Sequence, residues 1–216
     1  MTTQPTYNHI SALRFPEFLN EGEWEVKRLG EIAELYAGAT PSTAKPEYWE
    51  GGTILWMSSG EVHNGQIFAT EKRITQLGYD NCSTKLVPAN SVVVALAGQG
   101  KTRGTVAITR VELCTNQSLC SILPNETYCS DYLYFYLGGK YELLRQISSG
   151  DGTRGGLTLQ MLKDFSVPFP PLAEQRRIAE SLSAIDEMIA STNGKLDLLK
   201  AYKKGLMQNL FNQRGG

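Results

Sequence analysis

Residues 91–109 read SVVVALAGQGKTRGTVAIT, and within them AlaLeuAlaGlyGlnGlyLysThr at 95–102 fits the loose pattern of a phosphate-binding loop. The fold turns on the residues just after Thr102. A working phosphate loop passes from a strand through the glycine turn into a helix whose N-terminal N–H groups face the phosphates. Here Thr102 is succeeded by Arg103 and Gly104, then by Thr105, Val106, Ile108 and Thr109. Those β-branched residues suit a second strand rather than a helix. No later strand ends in an acidic magnesium ligand. The stretch is therefore read as a hairpin, with Lys101 and Arg103 projecting outward, and a P-loop ATPase is the least favoured of the functional readings.

Moving outward, short apolar or β-branched runs bounded by glycine and polar clusters predict further strands at 53–57 (TILWM), 66–69 (QIFA) and 119–123 (LCSIL). Residues 24–38 predict a short helix from about Leu29 to Tyr36, closed by Gly38. A helix capped at Ser130 or Asp131 is expected over 130–147, broken near Gly138–Gly139. A glycine-rich basic loop at 150–156, a short helix through TLQMLKDF and an extended VPFPP (167–171) complete a mixed α/β unit, residues 1–171.

From Leu172 the chain changes character. With Ile178 taken as heptad position d, the core positions run Ile178, Leu182, Ile185, Ile189, Thr192, Leu196, Leu199, Lys203, Leu206 and Leu210, alternating by four and three. That is the seam of a coiled coil. A helix of about 40 residues would be ~60 Å long, against a radius of gyration of ~15 Å for the preceding domain. The seam calls for a partner helix, which a second copy would supply; folding back along its own domain is the alternative. Pro171 suits a first helical turn and Glu174 the positive helix N-terminus.

Composition narrows the chemistry. The two histidines, His9 and His63, lie far apart, and the four cysteines have no paired spacing, so neither a structural zinc nor a metal site is expected. No window resembles a membrane span and the first residues lack a secretory pattern, so a cytoplasmic protein is expected. The formal net charge is −1, yet residues 81–111 contain no acid while holding Lys85, Lys101, Arg103 and Arg110. A one-signed surface beside glycine loops suits the phosphates of a nucleic acid backbone. Gln99, Asn116, Gln117 and Ser118 carry donors and acceptors of the kind that read base edges. No nucleophile elbow, dinucleotide fingerprint or metalloprotease motif occurs, which leaves a non-catalytic recognition domain with a dimerising helix.

Several stretches resemble a known family. LRFPEF (13–18) and GEWEVKRLGEIAELYAGATPSTAKPEYWEGGTILWMSSGEV (22–62) are similar to the start of a target-recognition domain of type I restriction–modification specificity subunits, with Ala39 where the family commonly has glycine. GLTLQMLKDFSVPFPPLAEQRRIAESLSAIDEMI (156–189) resembles the family's conserved region, in which PLAEQRRIA opens the spacer helix. NCSTKLVPANSVVVALAGQGKTRGTVAI (81–108) and TNQSL (115–119) resemble the section between.

The resemblance implies a DNA-binding subunit without catalysis, assembled with methyltransferase subunits that bind S-adenosylmethionine and with ATP-driven restriction–translocase subunits; no cofactor is expected on this chain. Family members usually carry two recognition domains and two antiparallel helices, whereas these 216 residues hold one of each. The expectation is a half-length form that homodimerises through residues 172–216, so that identical domains read an interrupted palindrome. A coiled-coil adaptor or orphan competitor that binds only the methyltransferase subunits is the rival. Loop position and donor chemistry nominate Gln99, Lys101, Thr102, Arg103 and Arg154 as DNA contacts, with Ser58, Ser59 and Lys45 from the N-terminal loops.

Overall fold

The computed structural model describes residues 14–98, 100–148 and 156–211. It divides into two units, residues 1–176 and 177–216. In chain order the first unit contains β1 (Glu25–Arg28), α1 (Leu29–Ile32), β2 (Leu35–Ala37), β3 (Ile54–Met57), β4 (Gln66–Ile67), β5 (Lys72–Ile74) and α2 (Gln76–Asp80). Next come β6 (Val92–Ala95), β7 (Val106–Thr109), β8 (Cys114–Thr115), β9 (Leu119–Ile122), α3 (Ser130–Gly138), α4 (Tyr141–Ile147), α5 (Leu159–Lys163) and β10 (Ser166–Phe169). Helix α6 runs from Leu172 to Phe211.

The heart of the first unit is a five-stranded sheet of order β2–β9–β6–β7–β4, antiparallel except for the β7–β4 pair. Its three central strands are buried at every position, which is why Val92–Ala95 and Val106–Thr109 read as continuous apolar runs rather than alternating ones. Val93, Ala95, Ala107 and Leu119 pack with Met57, Val62, Val87 and Leu113 in one core. Helix α3 packs against β6 and β7. A smaller sheet, β5–β3–β8, builds a second core around Trp56, Ile74 and Cys114.

The predicted hairpin is present: Val92 faces Ile108 and Val94 faces Val106 across an antiparallel ladder. The break at Gly138–Gly139 also appears, separating α3 from α4. The expected helix over Leu29–Tyr36 is corrected to a single turn, α1, because Leu35–Ala37 instead pairs with Cys120–Ile122 as an edge strand. Burial of Leu35 against the sheet outweighs a weak helical preference in so short a segment. Gly38 closes no helix. A Cβ there would meet the Thr115 carbonyl oxygen at 2.0 Å, so the glycine permits close approach of two backbones.

Strand β1 pairs with β10, from Glu25 opposite Phe169 to Arg28 opposite Ser166, bringing both ends of the first unit together. The AlaGluGln of the PLAEQ stretch sits at this junction. Glu174 is fully buried and accepts bonds from Arg14 Nε (2.9 Å) and Nη2 (2.6 Å) and from Trp24 Nε1 (3.2 Å). The carboxylate raises the Arg14 guanidinium further above its ordinary value, chiefly through that hydrogen bond. Gln175 donates Nε2–H to the Pro170 carbonyl (2.8 Å) and accepts the Cys129 N–H on Oε1 (2.9 Å). The N-cap of α3 is Cys129, which makes no side-chain cap bond, so the expected cap at Ser130 or Asp131 is corrected by one or two residues; Gln175 instead fixes the Cys129 N–H just ahead of the helix. The first turn of α6 is thus tied to β10 and to α3.

Along the second unit the seam residues are exposed within this chain: Leu182 37%, Ile185 51%, Ile189 53%, Leu196 48%, Leu199 64%, Leu206 41% and Leu210 73%, while Ile178 is half-buried. Thr192 donates its hydroxyl to the Met188 carbonyl at 2.8 Å. Covering that seam position would therefore strand no donor. No helix among the described residues is long and apolar enough to cross a membrane.

Candidate nucleic-acid interface

The loop joining β6 to β7 is closed at its base by Ala95 N–H to Thr105 O (3.0 Å) and Gly104 N–H to Ala95 O (2.9 Å). Gly98 and Gly104 have φ of 147° and 84°, conformations an L side chain rarely adopts. At Gly98 a Cβ would also lie 2.6 Å from that of Thr102, so the turn is tight on both counts. The chain leaves Thr102 for β7, not for a helix, and the carbonyls of Gly100 and Lys101 already accept bonds from protein donors. The array of helix N–H groups that a nucleotide phosphate needs is not what this loop builds.

Helix α4 braces the loop. Arg145 Nη1 donates to the Gly100 carbonyl at 2.7 Å and to the Tyr141 hydroxyl at 3.2 Å, with the guanidinium over the Tyr141 ring at 5.6 Å. Tyr141 in turn donates to the Lys101 carbonyl at 3.0 Å, which also accepts the Thr105 hydroxyl at 2.8 Å. From the other side His63 Nε2 lies 3.1 Å from Thr102 Oγ1. The loop is held at three consecutive residues, and the Lys101 side chain is left exposed. Arg103, expected to project outward, is half-buried, a correction to the hairpin reading.

Leu157, just after the second glycine run in sequence, meets the same stem. Leu157 N–H donates to the Leu96 carbonyl at 2.9 Å, so the chain leaving residues 149–155 rests on the stem of the first loop. Leu96 N–H is bonded to Ser118 O at 2.8 Å, and Asn116 N–H to Met57 O at 3.1 Å, adding the TNQSL turn. Ser58 and Ser59 open the neighbouring 3-10 turn at Ser59–Asn64, which carries His63. Lys101, Thr102, Arg103, Ser58, Ser59 and the 116–118 turn are thereby gathered around one loop cluster, joined by Tyr141 and Arg145. Gln99 and Arg154 lie outside the described residues.

Two of the residues nominated from sequence, Ser58 within the cluster and Lys45 apart from it, have side chains occupied internally. Ser58 is an N-cap: its N–H and hydroxyl bind Glu61 Oε2 at 2.7 and 2.9 Å, while Glu71 N–H donates to Glu61 Oε1 at 2.9 Å. Lys45 donates to the Tyr48 hydroxyl at 2.9 Å and lies over that ring, and the hydrogen bond raises its pKa. Its side-chain partner is Tyr48, and among the described residues no hydrogen bond or ring contact ties it to the loop cluster. Of the acid-free segment, Arg110 is bound to Asp131, Gln66 and Asn90, and Lys85 lies over Tyr36. The positive surface is therefore narrower than the charge run in sequence.

Tyr141 and Arg145 were not singled out by sequence reasoning. The available signal was their i, i+4 spacing on one helix face, in a segment that reads simply as amphipathic. Among the described residues no group of His, Cys, Asp and Glu could hold a metal ion. Burial pushes the Cys114 thiol up to about 11 and the Cys120 thiol up to about 12, so both are protonated, inert core residues at neutral pH.

Fold and loop cluster together define a recognition unit of mixed α/β architecture that carries a single long helix. The chain belongs to the family of type I restriction modification DNA specificity domains, which it matches over residues 21–201. It is 33% identical over 173 residues to the Escherichia coli type I restriction enzyme EcoR124I/EcoR124II specificity subunit, covering 79% of this chain and 43% of that protein. It is 32% identical over 194 residues to the MjaIX specificity subunit of Methanocaldococcus jannaschii, covering 88% and 44%. In fold it is similar to a chain from a type I R-M system studied for complex assembly and conformational transition (TM-score 0.66, 22% identity, 93% of this chain and 46% of that one). It is also similar to the HsdS subunit of Thermoanaerobacter tengcongensis (TM-score 0.61, 21% identity, 87% and 42%). The chain spans a little under half the length of these relatives.

Proposed function

We propose that this chain is the sequence-specific DNA-binding subunit of a type I restriction–modification complex and carries no catalysis of its own. Two copies pair through α6, and each recognition unit reads one half of an interrupted palindrome. The pair positions DNA methyltransferase subunits, which hold S-adenosylmethionine, and, where present, ATP-driven restriction subunits. The observation that carries this reading is the family match over residues 21–201, which takes in one recognition unit and most of one seam-bearing helix. The exposure of Ile185, Ile189, Leu199 and Leu210 supports pairing, since a run of aliphatic residues at heptad spacing is stable only when covered. Identical readers related by a twofold axis require identical half-sites.

The test is target selection from random duplexes by the chain reconstituted with its methyltransferase subunits, and then a salt titration. The expected result is two inverted copies of one half-site, with affinity falling steeply as salt rises. A bipartite target with unlike halves refutes the symmetric scheme. Capture of methyltransferase subunits without salt-dependent duplex binding would favour the adaptor.

A further inference from the structure

Between β8 and β9 the chain turns through Asn116, Gln117 and Ser118. An Asn or Gln amide brings one acceptor oxygen and two donor hydrogens, so residue type alone leaves the polarity of such a turn open. The fold assigns it. Asn116 Oδ1 accepts the Ser118 N–H at 3.1 Å, and Asn116 O accepts the Leu119 N–H at 3.2 Å. Gln117 Oε1 accepts the Thr40 hydroxyl, and Ser118 O accepts the Leu96 N–H at 2.8 Å. Thr40 is itself placed by its neighbour, since Ala39 N–H donates to Thr115 O at 2.9 Å and Ala39 O accepts Trp56 Nε1–H at 3.0 Å. Apart from the Gln117 carbonyl, the oxygens of the turn are thus committed within the protein. The donors are not. Among the described residues the Asn116 and Gln117 NH2 groups, the Gln117 N–H and the Ser118 hydroxyl have no hydrogen-bond partner.

We infer that this turn donates to phosphate oxygens of the DNA backbone, positioning the duplex rather than reading its bases, and that Thr40 sets its polarity. The inference rests on DNA binding by the recognition unit, proposed above, and gives Asn116 and Gln117 a part their residue types do not reveal. Polarity is the first support. A bidentate Asn or Gln pair with adenine needs the amide oxygen as well as the NH2, and in both residues that oxygen is bound inside the fold. A set of donors needs acceptors, and phosphate oxygens line the exterior of any duplex.

Reach is the second support. Base edges lie at the floor of a major groove about 8.5 Å deep. Gln117 is exposed, but the end of its side chain is tethered to Thr40, while Asn116 is half-buried and folded onto its own turn. Amides held at the protein surface meet a backbone more readily than a groove floor, which also argues against the acceptor edge of guanine. The neighbouring loop, joined to this turn through Leu96 and Ser118, carries the exposed Lys101 and supplies the charge that neutral donors lack.

The test uses the full chain reconstituted with methyltransferase subunits and two probes, the duplex returned by target selection and a random-sequence duplex. Gln117→Leu should weaken binding to both by the same factor, roughly two- to tenfold for one hydrogen bond. The selected half-site and the salt slope should stay as they were, because a neutral donor releases no counterion. Gln117→Glu should bind both probes more weakly still and select the same half-site. In a base reader that carboxylate would instead accept from cytosine N4 and bring a new preference. Thr40→Val should reproduce part of the Gln117→Leu loss, and Thr40→Ser, which keeps the hydroxyl, should bind as the parent does. A changed base in the half-site selected by either Gln117 variant, or unchanged affinity in both of them or in Thr40→Val, overturns the inference and leaves DNA binding intact. A parent complex that binds neither duplex overturns both.

Discussion

Replacing Gln175 by alanine should loosen the first unit at the root of α6 without touching the loop cluster. The side chain is 2% exposed and satisfies two backbone groups, the Cys129 N–H and the Pro170 carbonyl. Each buried polar group left without a partner costs about 1–3 kcal/mol, so the pair costs ~2–5 kcal/mol with partial relaxation. For a unit of this size each kcal/mol lowers Tm by about 2–4 °C, which puts the expected drop at roughly 5–15 °C. Differential scanning fluorimetry and urea unfolding measure the loss, and hydrogen exchange at the Cys129 amide localises it. Gln175→Glu supplies an independent check. Its carboxylate still accepts from Cys129 but cannot donate to Pro170 O, and burial beside that carbonyl and Glu174 favours the protonated acid. Its folded pKa would lie above the unfolded value of about 4.3. Stability is then fullest below that value and is lost as pH rises through the folded pKa. A Gln175→Ala protein within about 0.5 kcal/mol of the parent, the range of an ordinary surface change, or an unchanged Cys129 amide, would refute the assignment.

Lys101→Ala should weaken duplex binding by the reconstituted complex and reduce the salt slope by about one, as loss of a single phosphate contact does, and filter binding across a salt series measures it. Arg145→Ala and Tyr141→Phe remove the brace on Gly100 and Lys101; the expected outcome is a larger loss of specific than of non-specific affinity, read by competition with random DNA. Leu196→Asp places a charge in the seam and should shift the chain to monomer in sedimentation velocity while leaving its Tm within a few degrees. Alkaline pH should destabilise the fold. Burial raises Cys114 to about 11, and Cys120 and Tyr136 to about 12, and raises Tyr128 and Tyr132 as well. Groups raised in the folded state lend stability that is intact below their unfolded values, about 8.5–10, and is lost as pH climbs toward about 11–12. Urea midpoints should hold up to about pH 8.5 and fall above it.

The sequence carried much of the recognition unit because its signals are local. Val92–Ala95 and Val106–Thr109 are β-branched runs on either side of a glycine turn, and such a pattern leaves a strand pair as the simplest solution. The seam was equally legible, since periodicity along one helix needs no knowledge of what covers it. Leu35–Ala37 was misread because three residues hold too little pattern to outweigh a neighbour 85 positions away, and only pairing with Cys120–Ile122 makes them a strand. Gly38 misled for the same reason: its purpose is the Thr115 backbone, not the helix before it.

By itself, then, the order of residues determined that a strand comes after the GlyLysThr loop, that one long helix begins at the PLAEQ stretch, and that an aliphatic stripe runs along it at heptad spacing. Backbone preference and periodicity act over a few residues, so these features survive without a third dimension. Tertiary structure alone decided which charges are available. Arg110 is bound to Asp131, Lys45 lies over Tyr48, and Arg145, unremarked in sequence, holds the loop that presents Lys101. Whether a polar group serves the solvent or the fold depends on what lies within about 3 Å of it, and that distance is set by chain crossings which no local pattern records.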